Sequence, residues 1–435
     1  MIQYIFHYLS ISWWIFYGYK FNLFDDDCYI DIFEQKIDTC GSAIIKIIQW
    51  SLPKLDSIHN ISDKLIQRFE KYKKHCKTHD IEHTLSIIKS QGYPNMLNDY
   101  DLLEIIGSGS IGQVYKARHK KTRKIYAIKI LHPDVDNQYK IFKYVLWIST
   151  FFIDYSRIIP IENICKFFSG FEAQLDLINE SNNCLRIKEI CKCNLLKIPD
   201  IIYCNKSILI MSYIDTESFY DLSKYNQKKI IMFQYCMLNY SAMNGIFHGD
   251  LHSENWGVSN NCLILYDFGY CIDCNFISHE FSMKTVLEDN IFDVFREIIS
   301  YYKSYDYNKN MDPDIFKILD IRESIYNKNK YKDKHIEIAY FIQILIKYKF
   351  KLPNDFLNGI IHSIQIHKLY KSVGFLELNI TNNLDYITDI YTYLITNNIY
   401  PEYSEKLYVN YIQSSCKSLF NNCDKFNHLK SLVSL

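Results

Sequence analysis

The sequence predicts an α+β, two-lobed fold, with a small β-rich lobe, a larger and mainly helical lobe, and a helical extension ahead of both. Three observations lead to it. Residues 100–131 read as β-rich runs, with the glycine loop Gly107-Ser-Gly-Ser-Ile-Gly112 between the first two. A long amphipathic pattern follows from Asn163 to Cys191, with Ile164, Phe167, Phe168, Phe171, Leu175 and Ile178 at three- and four-residue steps. Further on, the polar stretch His248-Gly-Asp-Leu-His-Ser-Glu-Asn255 is joined to Asp267-Phe-Gly269 through Cys262-Leu-Ile-Leu-Tyr266, which has the composition and length of a buried strand.

In chain order, residues 1–30 form an apolar, aromatic segment with Trp13 and Trp14 at its centre and an acidic run at 25–27 behind it. A membrane span needs about 20 mostly apolar residues, and this stretch carries Gln3, His7, Ser10, Ser12 and Lys20. Its aromatics suit a membrane interface better than hydrocarbon. A helix touching a membrane surface, a helix docked on the rest of the chain and, third, a span all stay open. The basic leader of a signal peptide and the arginines of a transit peptide are missing. Residues 31–97 form the helical extension. Within it, 33–51 reads as one amphipathic segment with Phe33, Ile37, Cys40, Ile44, Ile47 and Ile48 on a stripe. The charge at 63–80, including Lys71, Lys73, Lys74, His75 and His79, reads as a solvated face and linker. The small lobe is expected at 98–214 and the large lobe at 215–435. The large lobe is mainly helical from Thr216, with His335, His362 and His367 as structural or surface residues.

The chemistry gathers in four places. Asp250, Asn255 and Asp267 have the spacing phosphoryl transfer needs: one carboxylate to orient or deprotonate an acceptor, and an amide oxygen with a second carboxylate to hold Mg²⁺ on the ATP phosphates. Upstream, Gly107, Gly109, Ser110, Gly112 and Val114 spell Gly-x-Gly-x-x-Gly-x-Val, in which backbone can approach a triphosphate because no Cβ holds it off. A dinucleotide loop uses the same glycines but opens a helix. Here Val114-Tyr-Lys-Ala-Arg118 and Ile125-Tyr-Ala-Ile-Lys-Ile-Leu131 read as a hairpin instead. Lys129 lies in the second of these strands, and a lysine buried in an apolar strand needs an anion. Asp176 and Glu180 fall at i, i+4 on the predicted helix, and Glu180 is the expected partner. Ser207-Ile-Leu-Ile-Met-Ser-Tyr-Ile214 reads as the strand into a hinge, with backbone at Met211 and Tyr213 placed to hold adenine.

These residues resemble the UbiB/ADCK (aarF-domain-containing) atypical kinases, a protein-kinase-like group tied to ubiquinone biosynthesis. Ser110-Ile-Gly-Gln-Val114 is similar to the family's Ser-Ile-Ala-Gln-Val, and Ala127-Ile-Lys-Ile-Leu-His-Pro-Asp-Val135 to its Val-Lys-Val-Leu-His-Pro-Gly-Val. Glu180 and Asn183 fall on its Glu-x-x-Asn, and 248–255 corresponds to His-Ala-Asp-x-His-Pro-Gly-Asn. Ala43-Ile-Ile-Lys-Ile-Ile-Gln-Trp50 resembles a segment whose Lys-x-Gly-Gln signature falls on Lys46 and Gln49. The resemblance covers roughly residues 40–380 and implies a two-lobed protein-kinase-like fold. It assigns Lys129 to the α/β-phosphates, Glu180 to its ion pair, Asp250 to the catalytic position, and Asn255 and Asp267 to the metal. It also implies that Lys46 and Gln49 lie over the mouth of the site, giving poor access to protein substrates. Three departures stand out. Gly112 replaces the usual Ala, which bears on nucleotide preference. Ile48 replaces a Gly that allows close backbone approach. Gln174 replaces an acid that pairs with the signature lysine, so Lys46 needs another partner, with Asp176 as the candidate.

Composition bounds the rest. Lys+Arg and Asp+Glu are 49 each, so no basic field points to nucleic acid. The 14 cysteines are scattered, which fits an intracellular, reducing compartment with free thiols, mitochondrial in many relatives. Cys271 and Cys274 form a lone C-x-x-C without the further ligands a zinc site needs. The expected function is an atypical kinase or ATPase that binds Mg·ATP and acts on a small or lipid-related molecule, with a membrane surface as an open partner. The alternative is a small-molecule phosphotransferase of the aminoglycoside/choline-kinase kind, which also writes His-Gly-Asp-Leu-His; Gly249 leans that way. A pseudokinase scaffold is disfavoured, because every nucleotide- and metal-handling side chain is present.

Overall fold

A computed structural model describes residues 2–21, 23, 25–59, 63–69, 78–91, 95–191, 195–251, 255–274, 291–328, 334–354, 356–361 and 364. Lys71, Lys73, Lys74, His75, Ser253, Glu254, His362 and His367 lie outside these.

The chain opens with α1 (Ile2–Phe21) and α2 (Asp27–Cys40). The acidic run between them has a local cause: Asp26 is the N-cap of α2 and accepts from the Tyr29 amide at 2.8 Å. The helices run back along each other, with Trp14 stacked on Tyr29 at 5.2 Å and Lys36 Nζ donating to Ser10 Oγ at 2.8 Å. Tyr8 and Ile11 are buried, whereas Phe6, Leu9 and Trp13 on the same helix are exposed. α1 is therefore docked along one face and open along another. No described helix is long and apolar enough to cross a membrane.

The segment 33–51 is two helices rather than one. α2 stops at Gly41, whose φ of 88° lies in the left-handed region, and α3 (Ser42–His59) begins at once, with the short α4 (Asp63–Phe69) after it. A Cβ at Gly41 would lie 2.6 Å from the Gln138 amide oxygen, which instead accepts from the Ala43 amide at 3.1 Å. The chain turns there because another helix reaches into the corner. Phe33, Ile37, Cys40, Ile44, Ile47 and Ile48 are nevertheless all buried. They join one hydrophobic core with α6 (Val135–Ser149), α9 (Ile291–Tyr302), α10 (Ile315–Lys328) and α11 (Lys334–Lys347). The N-terminal helices thus share a core with helices more than 200 residues away.

A second core lies under a five-stranded antiparallel sheet ordered β1-β2-β3-β6-β5. Its strands are β1 (Tyr100–Ser108), β2 (Gly112–His119), β3 (Ile125–Leu131), β5 (Ile201–Cys204) and β6 (Ile208–Ser212). Tyr115, Ala117, Ile128, Ile130, Ile208 and Ile210 fill one face, closed by Ile88 of α5 (Ile81–Ser90) and by Met96. Because strand side chains alternate, Lys129, between Ile128 and Ile130, points to the other face, with Val114 and Leu209 as its cross-strand neighbours.

The pattern at 163–191 is also interrupted. Helical turns at 164–167 and 169–172 and a 3-10 turn at 173–175 precede α7 (Leu177–Ile190). Asp176 is the N-cap of α7 and accepts from the Ile178 amide at 2.9 Å, so it does not sit on a helix face with Glu180. After α8 (Lys224–Met243) the chain holds more strand than expected. β7 (Ile246–His248) pairs with β10 (Cys271–Asp273), and β8 (Trp256–Ser259) with β9 (Cys262–Leu265), which also carries β4 (Leu196–Lys197). Asn260 and Asn261, both at positive φ, make the two-residue turn between β8 and β9.

If the N-terminal helices belong to the main core, Ile37→Ala should lower unfolding stability by roughly 2–5 kcal/mol. Urea denaturation measures this; a loss of only a few tenths would mean that α2 is loosely attached.

Candidate active site

Two ladders bring the ends of the 248–269 stretch together. Gly249 N–H donates to the Tyr270 carbonyl at 2.9 Å, extending the β7–β10 pairing, and Tyr266 N–H donates to the Asn255 carbonyl at 2.8 Å. His248, fully buried, orders the loop from within. Its Nε2 donates to the Tyr266 carbonyl at 3.0 Å, which leaves Nδ1 to accept from the Asp250 amide at 3.4 Å. Asn255 Nδ2 donates to the Asp250 carbonyl at 2.7 Å, leaving Oδ1 as the atom that could face a cation. Asp267 adopts a φ of 49°, uncommon without glycine, and its Oδ1 accepts from the Gly269 amide at 3.3 Å. Asn183 Nδ2 holds the Phe268 carbonyl at 3.0 Å. The Glu-x-x-Asn spacing of Glu180 and Asn183 thus serves both the lysine and the Asp-Phe-Gly backbone.

Across the cleft, Lys129 Nζ lies 2.7 Å from Glu180 Oε2 and 3.3 Å from Asp267 Oδ1. Burial opposes the charge on Lys129, but Asp267 and Glu180 outweigh it and raise its pKa. Burial pushes Asp267 up as well, yet Lys129 and Lys46 bring it down to about 2. Asp267 is therefore a carboxylate at neutral pH. A carboxylate and an amide oxygen, as on Asp267 and Asn255, are the kind of hard oxygen ligands that Mg²⁺ takes.

The N-terminal extension enters this site. Lys46 Nζ lies 3.0 Å from Asp250 Oδ2, and one turn on, Gln49 Oε1 accepts from Ser110 Oγ at 2.7 Å. Lys46 is buried; burial would lower its pKa, but Asp250 and Asp267 raise it instead. The partner of Lys46 is thus Asp250, not Asp176, which is occupied as a helix cap. Gln174 is buried beside Gly269, and its Nε2 has no hydrogen-bond partner among the described residues. Ile48 faces the hydrophobic core, so this helix does not rely on a small residue there.

The glycine loop is drawn in tightly. Gly109 N–H donates to the Gly112 carbonyl at 3.0 Å, and a Cβ on Gly112 would lie 2.5 Å from the Ile130 carbonyl oxygen. Gly112 therefore has a packing reason, the close approach of β2 to the β3 backbone. Gly107 has open space around it. At the hinge, Met211 is within the sheet, paired with Ala127 and Ile201. Tyr213 stands just past the strand, its N–H 3.5 Å from the Ile125 carbonyl and its ring under Lys116 Nζ at 4.7 Å.

The match to known proteins follows this geometry. Residues 71–293, more than half of the chain, match the ABC1 atypical kinase-like domain. The chain belongs to this family. ABC1 membership implies a kinase-like fold and nucleotide binding. The probable protein kinase UbiB of Cronobacter sakazakii is 24% identical over 178 residues, 38% of this chain and 32% of that protein. Its counterpart from an Enterobacter strain is 23% identical over 176 residues, 37% and 32% of the two chains. A shorter stretch of 52 residues is 48% identical to the serine/threonine-protein kinase sgk-1 of Caenorhabditis elegans, 12% of this chain and 11% of that one. The chain thus spans about a third or less of the length of these relatives.

Sequence reasoning missed Tyr270. Its buried ring is wedged between Gly170 and Gly249, where added Cβ atoms would lie 2.5 Å and 2.6 Å from it. In this ABC1 chain, Gly249 is the room that Tyr270 occupies. A bulky residue directly after Asp-Phe-Gly, with a glycine directly before Asp250, is the signal that could have exposed it.

Lys129→Met leaves Glu180 and Asp267 facing each other, and removing one partner of a buried ion pair costs roughly 3–5 kcal/mol. Adding Glu180→Leu should recover most of that loss in urea unfolding. A double variant no more stable than the single one would show that the pair is not the source of the cost.

Proposed function

We propose that this cleft binds Mg·ATP between two kinase lobes and carries out phosphoryl transfer or ATP hydrolysis as an atypical kinase of the UbiB type. The observation that carries the reading is the convergence on one cleft of Lys129, Glu180, Asp267, Asp250 and the glycine loop from separate parts of the chain. Asn255 and Asp267 would hold the cation, and Lys129 would meet the α/β-phosphates. Backbone at Gly107–Gly112 would line the triphosphate, and backbone from Met211 to Tyr213 would take adenine. Asp250 orients or deprotonates the acceptor. Bound Mg·ATP supplies the transferable phosphoryl group.

Lys46 and Gln49 bear on who reaches the site. α3 crosses the cleft and touches both the acid and the loop, which leaves little room for a protein substrate and favours a small or lipid-related acceptor. A membrane surface is proposed as the place of delivery. Phe6, Leu9 and Trp13 of α1 and Trp147, Phe151 and Phe152 at the end of α6 are exposed, and aromatic side chains favour the membrane interface. Nothing specific favours the aminoglycoside/choline-kinase reading, since Gly249 is accounted for by Tyr270.

Two substitutions test the assignment. Asp267→Asn should abolish Mg²⁺-dependent ATP binding in calorimetry; an unchanged affinity for Mg·ATP removes the metal role. Asp250→Asn should retain nucleotide affinity while phosphate release or transfer falls by roughly 10²-fold or more. Turnover kept at the parent rate would point to another acid.

A further inference from the structure

His132 follows β3 and points under the glycine loop. Its backbone N–H donates to the Ile111 carbonyl at 2.8 Å, and its Nε2 lies 2.8 Å from the Gly109 carbonyl. A carbonyl can only accept, so the hydrogen of the neutral ring is on Nε2. His132 Nδ1 must then accept, and the atom 2.8 Å away is His79 Nδ1, which has to donate. That leaves His79 Nε2 as an acceptor for the Thr84 hydroxyl at 2.9 Å, and Thr84 Oγ1 as an acceptor for the Tyr115 hydroxyl at 2.7 Å. Gln113 completes the chain. Its Nε2 donates to Tyr115 Oη, and its Oε1 accepts from the His79 amide at 3.0 Å. One direction of donation satisfies every link. Burial lowers the pKa of both histidines, His79 to about 4, so both rings are neutral at pH 7.

We propose that His79 and His132 are positioning residues that fix the glycine loop over the phosphate site, tying Gly109 to the segment that leads into α5. The proposal rests on the nucleotide reading of the cleft. Gly109 is held at both ends, its N–H by the Gly112 carbonyl and its carbonyl by His132. Ser110, next to it, is held from the opposite side by Gln49. A loop that moves freely must order itself around each phosphate chain, whereas a loop held from two sides offers its amides already aligned. The chain of donors also couples residues 79–84, in the N-terminal extension, to the loop.

The test uses the full-length protein, with amide hydrogen exchange across 107–114 and Mg·ATP affinity as separate readouts. His132→Leu removes the bond to Gly109 and should speed loop exchange and weaken Mg·ATP by about tenfold, the effect of one lost hydrogen bond. His132→Gln can still donate to that carbonyl and should stay within about threefold of the parent. Thr84→Val breaks the far end of the chain with His132 intact; it should loosen the loop measurably less than His132→Leu, and it carries the test if that variant does not fold. Unchanged loop exchange in folded His132→Leu and Thr84→Val overturns the proposal. So does His132→Gln behaving like His132→Leu. If the parent protein binds no Mg·ATP, the nucleotide reading fails. The clamp is then judged on exchange alone: faster in His132→Leu and restored in His132→Gln supports it, and no change overturns it.

Discussion

Lys129 carries its ammonium on the cleft face of β3, away from water, and that burial is tolerable only because Glu180 and Asp267 close on it from two other parts of the chain. Unpaired, a buried charge costs several kcal/mol even after the surroundings relax. This requirement fixes α7 against the sheet, since Glu180 must reach across. It also fixes the turn after β9, since Asp267 must face back towards β3 from a backbone conformation that a non-glycine residue seldom takes. Asn183, one turn beyond Glu180, bonds the Phe268 carbonyl and locks the same two elements from the side. The ladder β7–β10 and the bond from Gly249 to Tyr270 then deliver Asp250 to the cleft.

The second constraint comes from the N-terminal helices. α3 is buried by its apolar stripe in the core shared with α6 and α11, so its polar residues have little freedom in where they point. Lys46 goes to Asp250 and Gln49 to Ser110, three residues apart on one helix face. A helix rooted in one core therefore holds Asp250 with one residue and the glycine loop, at the edge of the other core, with another one turn on. The histidine chain does similar work from behind the loop, again starting in the extension. The loop is thus held from two directions, by Gln49 of the extension and by His132, which His79 of the extension supports.

Much of this was legible in the sequence, and the reason is local. The glycine spacing, the apolar strand around Lys129 and the run from Asp250 to Asp267 are contiguous patterns whose chemistry depends on short-range order. What was not legible depends on which distant residue arrives at a given place. The break at Gly41 is set by Gln138, nearly a hundred positions away, although a glycine between two periodic stretches was a signal for it. Periodicity puts Asp176 on a helix face because it ignores caps; an Asp just ahead of a helical run marks an N-terminus more often than a face. The partner of Lys46 and the meaning of Gly249 both followed from tertiary neighbours, Asp250 and Tyr270. His79 and His132 are 53 positions apart, and nothing in either local context announces a shared proton.

The charges in the cleft give these pieces a common logic. Two ammonium groups, Lys46 and Lys129, face three carboxylates, Asp250, Asp267 and Glu180, which leaves one negative charge uncompensated among these five groups. A nucleotide triphosphate alone would add several more negative charges to a site with that balance. A divalent cation beside Asp267 reverses the sign, so on the proposed reading the nucleotide is admitted only together with its metal. The same balance explains why Lys46 can lie against Asp250: it supplies, from the protein's own helix, part of the positive charge that the carboxylates require. Lys46 and an incoming cation are then competitors for one field rather than independent features, and the covering helix and the chemistry it covers are electrostatically linked.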